Sequence, residues 1–238
     1  MQSLDLTLPS LTENVALDEA LLLAAESGDG GEMLRFWEWP GPAVVLGSGA
    51  RFADDVDEAA CTAEDVPILR RSSGGGTVLL GRGCLLYTLV LCYERDPDLT
   101  DIRGSYRFIL GRIGGALADN AGPIEQAGIS DLVLAGRKFS GTAQQRKRSF
   151  LLHHGTLLYD MDLSMIPRYL REPPRQPDYR GGRTHLAFVG NLPLHRDQIK
   201  QQLRRLWNVD ESRSTWPEAE VKQLVVDKYA NPRWLRRR

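Results

Sequence analysis

The densest chemistry in this 238-residue chain lies in nine consecutive residues, Arg70-Arg71-Ser72-Ser73-Gly74-Gly75-Gly76-Thr77-Val78. Three glycines in a row surrender backbone entropy on folding, an inefficient choice for a purely structural segment. Without Cβ atoms they let a ligand lie against the main chain, and their N–H groups can hold an anion. The two arginines just upstream add fixed positive charge suited to a phosphate or carboxylate. The plain alternative is a tight, solvated loop. No Gly-Lys-Ser/Thr follows and the GxGxxG spacing is absent, so neither a Walker loop nor a dinucleotide fingerprint is present.

A second cluster is Ser130-Asp131-Leu132-Val133 followed by Gly136-Arg137-Lys138-Phe139-Ser140-Gly141-Thr142-Ala143-Gln144. Lys138 stands among small and apolar neighbours. If its stem is buried, its ammonium must meet an anion or water. A lysine so held suits the developing charge of an acyl phosphate, whereas on an edge strand it would only be solvated. Asp131 is a candidate ribose or metal ligand, through magnesium, or a turn residue. The third cluster is His153-His154-Gly155-Thr156-Leu157-Leu158. On a strand, adjacent histidines face opposite ways, which argues against a metal pair and for one histidine in the core.

The elements that must position these clusters read as α+β. Thr12 to Ala25 carries one apolar helical stripe behind an N-cap at Thr12 and ends at Gly28–Gly31. Met33–Trp39 and Ala43–Gly47 read as strands around Pro40-Gly41-Pro42, Asp54–Glu64 as helical, and Ile68–Arg71 as a short strand. Further strands are expected at 77–80, 85–93, within 130–140, and at 149–159, with a helix over 102–119. Three helical segments follow, at 163–171, 196–207 and 217–229. Many strand connections are too short for crossover helices, so the sheet should be mixed and largely antiparallel, flanked by helices. Glu172–Gly182 is too rich in Pro and Gly for a regular element, and the basic tail Trp234–Arg238 is expected to fray.

Composition bounds the function. Hydrophobic residues at 42% and charged residues at 26% describe an ordinary globular protein. A net charge of -1 gives no coat for nucleic acid. No run reaches the roughly 20 apolar residues of a membrane span, and Met1–Ser10 has no signal-peptide pattern. Three cysteines, Cys61, Cys84 and Cys92, fit a reducing cytoplasm rather than a disulfide scaffold.

In their order and spacing, RRSSGGGTV, DLVLAGRKFSGTAQ and HHGTLL resemble the lipoate–protein ligase A family of the biotin/lipoate protein ligase superfamily. The likeness runs from NVALDEALL in the first helix to VVDKYANPRW near the end. It implies one catalytic domain over 1–238, of the biotin/lipoate ligase type, without a separate C-terminal accessory domain. It implies ATP-dependent ligation: lipoate or octanoate is activated with Mg-ATP as an acyl-AMP and passed to a lysine of a lipoyl-carrier protein. That carrier would be an H-protein-like or E2 lipoyl domain, and either a separate accessory protein supplies the function of that further domain or this subtype activates acyl groups without it. No tightly bound prosthetic group, nucleic acid or membrane is implied. Carried over by motif, Lys138 contacts the carboxyl and α-phosphate. Arg70, Arg71, Ser73, Gly74, Gly75, Gly76, Thr77 and Val78 surround the acyl-adenylate. Asp131, Gly141, Thr142, Ala143, His154, Gly155 and Thr156 complete the site. Leu80 and Leu86 stand where relatives often carry His and Asn, making the wall more apolar. The rival expectation is an octanoyltransferase that moves octanoyl between carriers through a cysteine thioester, without ATP. No cysteine occupies Pro123–Ser130, where that nucleophile is expected, and Cys84 reads as a small buried thiol.

Overall fold

The computed structural model describes residues 1–174 and 176–238. Eight strands build the main sheet: β1 (Gln2–Asp5), β2 (Met33–Glu38), β6 (Cys84–Cys92), β7 (Ile124–Ala127), β8 (Asp131–Leu134), β9 (Arg137–Arg146), β10 (Phe150–Leu158) and β11 (Glu211–Ser212). Their order is β11-β1-β2-β6-β10-β9-β8-β7. β1 runs parallel to both its neighbours, and every other pair is antiparallel. A second sheet holds β3 (Ala43–Leu46) between β4 (Ile68–Arg70) and β5 (Val78–Leu80). The mixed, largely antiparallel α+β architecture expected from the sequence is the one observed.

Alternation along the central strands divides the core. Leu85, Tyr87, Leu89 and Leu91 of β6, with Leu151 and Leu157 of β10, face α4 (Ile102–Ala121) and α7 (Arg196–Leu206). Cys84 and Val90, with Leu152 and Leu158, face α1 (Leu11–Ser27) and the small sheet. Side chains of successive strand residues point to opposite faces, so one sheet supplies two cores. The same alternation splits the histidines. His153 packs against Tyr87 and Tyr106 on the α4 side, and His154 reaches α1.

Three local expectations change. The cap of α1 is Ser10, whose hydroxyl accepts from the Glu13 N–H at 3.4 Å, two residues before the expected Thr12. Over 163–171 only single turns form, at Leu163–Met165 and Ile166–Tyr169, because Leu170 turns extended to bridge Val56. The tail does not fray: α9 (Pro232–Leu235) caps the small sheet. Arg70 Nε donates to the Leu235 carbonyl and the Trp234 indole N–H donates to the Arg70 carbonyl, each at 2.8 Å. Within Glu172–Gly182, Arg175 lies outside the described residues. Tyr179 and Arg180 are tied to the body through Asp131 and Phe188, and Arg180 also pairs with Glu172 at the head of the segment.

Candidate active site

One pocket lies between α1, the small sheet and the β8–β10 surface. It gathers Arg71, Gly75, Gly76, Thr77, Val78, Asp131, Lys138, Gly141, Thr142, Ala143, His154, Gly155 and Thr156. Three expected members do not line it. Arg70 turns away, and one of its terminal nitrogens donates to the carbonyls of Gly47 and Ala50, at 2.7 Å each. It fastens the frame behind the loop and leaves no donor facing ligand. Ser73 stands behind the wall. Gly74 is absent from the lining, and its N–H is drawn to the Gln144 carbonyl.

The glycine triplet is not uniform in what it requires. Gly75 adopts φ +81, a left-handed conformation that favours glycine, and a Cβ there would stand 3.0 Å from the Arg71 guanidinium. Added Cβ atoms at Gly74 and Gly76 would meet open space. The N–H groups of Gly75, Gly76 and Thr77 have no acceptor among the described residues. They form a cradle for negative charge at the pocket wall. Beside them Arg71 is buried and has no carboxylate partner among the described residues. Its donors go to neutral oxygens: the carbonyls of Val45, Gly74 and Gly76, and the Ser73 hydroxyl. Burial brings its pKa down to about 10.

Lys138 is aimed by a defect in the ladder. Ala135 (φ 49) and Gly136 (φ 72) make a tight turn between β8 and β9. Leu132 then faces Ser140 while Val133 faces Lys138, so Phe139 is an extra residue in β9. The bulge turns Lys138 toward the pocket. Its ammonium lies 2.9 Å from Asp131 Oδ1, and Gly141, without a side chain, leaves the room it occupies. Asp131 Oδ2 accepts from the Tyr179 hydroxyl at 2.5 Å. Burial, followed by the Asp131 charge, raises the Tyr179 pKa, which keeps the phenol a donor. Both carboxylate oxygens are therefore engaged by protein donors. Among the described residues no group of three metal-binding side chains occurs.

His154 joins a chain of short contacts. Its Nδ1 lies 2.8 Å from Asp18 Oδ2, and its Nε2 lies 2.6 Å from Ser73 Oγ. Asp18 also takes a bond from Arg35 at 2.6 Å. Burial raises the Asp18 pKa, but the Arg35 charge and the His154 contact outweigh it, and the carboxyl ends below its usual range. An ionised Asp18 can only accept, so Nδ1 carries the hydrogen. Next to Asp18, Glu19 accepts from Lys228, Tyr229 and Gln145, and Gln145 accepts in turn from Ser72. Helix α1 thus anchors the loop from one side and the C-terminal VVDKY segment from the other. Asp18 and Glu19 were not singled out in the sequence. Their signal is an acidic pair inside the apolar stripe of NVALDEALL, which demands buried partners.

An apolar slot continues the pocket, walled by Val15, Trp37, Val45, Leu80 and Leu86. Leu85 faces the opposite core. Among the described residues no cysteine lines the pocket. Cys84 is 0% exposed, and burial pushes its thiol up to about 12. Cys61 is buried on α3 (Glu58–Ala63), where desolvation and three acidic neighbours raise its thiol. Cys92 ends β6 roughly 20 Å along the strand from Leu86, at about 3.3 Å per residue.

The model of the lipoyl protein ligase A/B catalytic domain matches residues 10–211. The chain belongs to that family. An octanoyltransferase LipM of Carboxydothermus hydrogenoformans is 31% identical over 175 residues, covering 67% of this chain and 65% of its own length. LipM of Oceanobacillus iheyensis is 27% identical, over 89% of this chain and 86% of that protein. A probable lipoate-protein ligase A of Mycoplasma pneumoniae is 28% identical over 66% of the chain and 45% of its own length. The fold matches the bipartite lipoate protein ligase of Thermoplasma acidophilum with a TM-score of 0.83 at 21% identity, over 99% and 95% of the two chains. This family member is an enzyme of the ligase and octanoyltransferase group. The expectation of ATP-dependent ligation is overturned: relatives that align along most of the chain are octanoyltransferases. The likeness to ligase structures is one of fold.

Proposed function

We propose that the protein moves an octanoyl group between carrier proteins without ATP, from a carrier thioester to a lysine amine of a lipoyl-carrier domain. The observation that carries this reading is an apolar slot opening onto a polar end made of Lys138, Arg71 and the free N–H groups of Gly75, Gly76 and Thr77. An eight-carbon tail is stabilised by roughly 0.8 kcal/mol for each CH₂ removed from water. Its carbonyl then sits where charge develops. Lys138 and the N–H cradle stabilise the tetrahedral oxyanion, and neither need act as base. The names of the LipM relatives support the transfer class, and the bipartite lipoylation system among the fold neighbours supports a lipoyl domain as acceptor. In this reading residues 1–238 act as one catalytic unit in the cytoplasm. A thioester on Cys84 is not part of it, because a thiol closed off in the core cannot meet a carrier.

The test is transfer from an octanoyl-carrier thioester to an apo lipoyl domain in ATP-free buffer, followed by intact mass of the acceptor. Octanoylation without ATP is expected. An absolute requirement for ATP, with pyrophosphate released, would sink the proposal.

A further inference from the structure

We propose that Tyr179 is a positioning residue for the transfer reaction: acting through Asp131, its hydroxyl keeps the Lys138 ammonium available to the negative charge that forms on the acyl carbonyl. This rests on the acyl-transfer reading and adds to it a residue outside the pocket lining, on a segment separate from the three sequence motifs.

Asp131 is 6% exposed, and a carboxylate buried to that degree must have its charge met. Among the described residues three side chains donate to it. Lys138 Nζ stands 2.9 Å from Oδ1, the Ser130 hydroxyl 3.3 Å from the same oxygen, and the Tyr179 hydroxyl 2.5 Å from Oδ2. Of the three, Lys138 alone carries positive charge. Asp131 and Lys138 both line the pocket, so the ammonium is divided between Asp131 and any anion that forms there. A hydrogen bond to an ionised oxygen is stronger than one between neutral groups. By engaging Oδ2, the phenol weakens the pull of the carboxylate on Lys138. It also stops the carboxylate from turning its second oxygen onto the ammonium. Burial, followed by the Asp131 charge, keeps the phenol protonated and therefore a donor.

The segment from Tyr179 to Gly190 is fastened to the turn that carries Lys138. The Tyr179 ring packs on Phe188 with centroids 5.2 Å apart. Arg183 donates from one terminal nitrogen to the Gly136 carbonyl and from the other to the Tyr179 carbonyl, at 2.8 Å each. In the other direction, Arg137 donates to the carbonyls of Val189 at 2.8 Å and Leu186 at 2.9 Å. The Gly190 N–H donates to the Lys138 carbonyl at 2.9 Å, and Lys138 and Val189 form a parallel bridge. The two residues before Lys138, and Lys138 itself, therefore all hold this segment. With ring and backbone pinned, the hydroxyl is already aimed at Asp131, and no reorientation is needed when charge develops.

The experiment compares the full chain with Tyr179→Phe, which removes the hydroxyl and keeps the ring on Phe188, and Tyr179→Ala, which removes both. One readout is kcat and KM in ATP-free octanoyl transfer. The other needs no turnover: competitive labelling of the Lys138 amine with acetic anhydride, mapped by mass spectrometry relative to the other lysines of the chain. Tyr179→Phe should lose roughly 10-fold in kcat with KM within about twofold, the scale of one hydrogen bond to a charged group. Lys138 should label more slowly in it, because Asp131 then holds the ammonium more tightly. With Asp131→Asn already present, Tyr179→Phe should cost no more than about twofold further, since a neutral amide does not compete for Lys138. A ring that only packs would leave Tyr179→Phe at the parental kcat and labelling, with loss confined to Tyr179→Ala, and that result overturns the proposal. So does a full 10-fold loss in the Asp131→Asn background, or a fallen kcat with unchanged labelling of Lys138. Absence of ATP-free turnover in the parent sinks the transfer reading by itself; slower labelling in Tyr179→Phe then still supports the link from Tyr179 to Lys138, and equal labelling removes that link too.

Discussion

Gly47→Ala should disable the site although Gly47 itself does not line it. Gly47 follows β3, and Ser48 N–H bonds the Ser73 carbonyl at 2.8 Å, so this turn and the glycine loop lie back to back. A methyl at Gly47 would stand 2.0 Å from the Gly75 oxygen, 2.9 Å from its carbonyl carbon and 3.0 Å from the Gly74 oxygen. Ordinary carbon–oxygen contact is about 3.3 Å. The loop must therefore retreat by more than about 1 Å. Overpacking of this kind costs about 1–3 kcal/mol of stability. A misplacement of about 1 Å at reacting groups costs on the order of 10²-fold in rate. The control lies two residues away: a Cβ at Gly49 meets nothing within 4 Å, so Gly49→Ala should be neutral. Calorimetry gives the stability change, and the ATP-free octanoyl transfer assay gives kcat and KM. Gly47→Ala should stay folded at 25 °C and lose roughly 100-fold in kcat/KM, with Gly49→Ala within twofold of the parent. A Gly47→Ala protein with parental kcat/KM would show that the backbone at Gly75 does not set the geometry of the reaction.

Lys138→Ala should lower kcat by roughly 10²–10³-fold with little change in Tm, read in the same assay, because a cation at the developing oxyanion is worth that much. Equal loss in Lys138→Ala and Lys138→Arg would show that compact placement of the charge matters as well as its sign. Cys84→Ala should retain activity within about twofold at a stability cost of about 1 kcal/mol, since it deletes a small buried group; abolished turnover in a folded variant would return the cysteine route. Stability should fall below pH 6.5. Burial, and then the His154 charge, hold the His153 pKa down at about 3. Between the two values the unfolded chain binds the proton that the folded chain refuses. Stability is then complete above pH 6.5 and is lost by at most about 1.4 kcal/mol per unit as pH falls toward 3. Urea titrations from pH 5 to 8 should show this slope, and His153→Gln should flatten it.

Strand and helix types were legible wherever one face met one core. β6 and β10 read as strands because their apolar runs are bounded by glycine or charge, and α4 read as a helix because Ile109, Leu110, Ile113 and Leu117 share its buried face. Edge elements did not stand out. β1 and β11 pair parallel across more than 200 residues, and β7 exposes Glu125 and Gln126, so neither leaves a local pattern. The motifs located the pocket, but type and spacing could not say which way a side chain points. Arg70 and Arg71 are identical in composition terms, yet β4 alternation sends one to the C-terminal helix and the other to the pocket. The relay through Asp18 joins residues 136 positions apart, and only the fold brings them together.

The two pocket cations are held differently, and the difference divides their work. Lys138 rests against Asp131, so its charge is balanced within the protein, and an anion there competes with a carboxylate at 2.9 Å. Arg71 has only neutral acceptors, and its depressed pKa is the mark of a charge without a counter-ion. Negative charge that forms beside Arg71 therefore gains the larger stabilisation, because nothing has to be displaced to receive it. In the transfer reading an oxyanion beside Arg71 displaces no partner, whereas one beside Lys138 shares it with Asp131, so the cation of the glycine loop and the cation of β9 are not interchangeable.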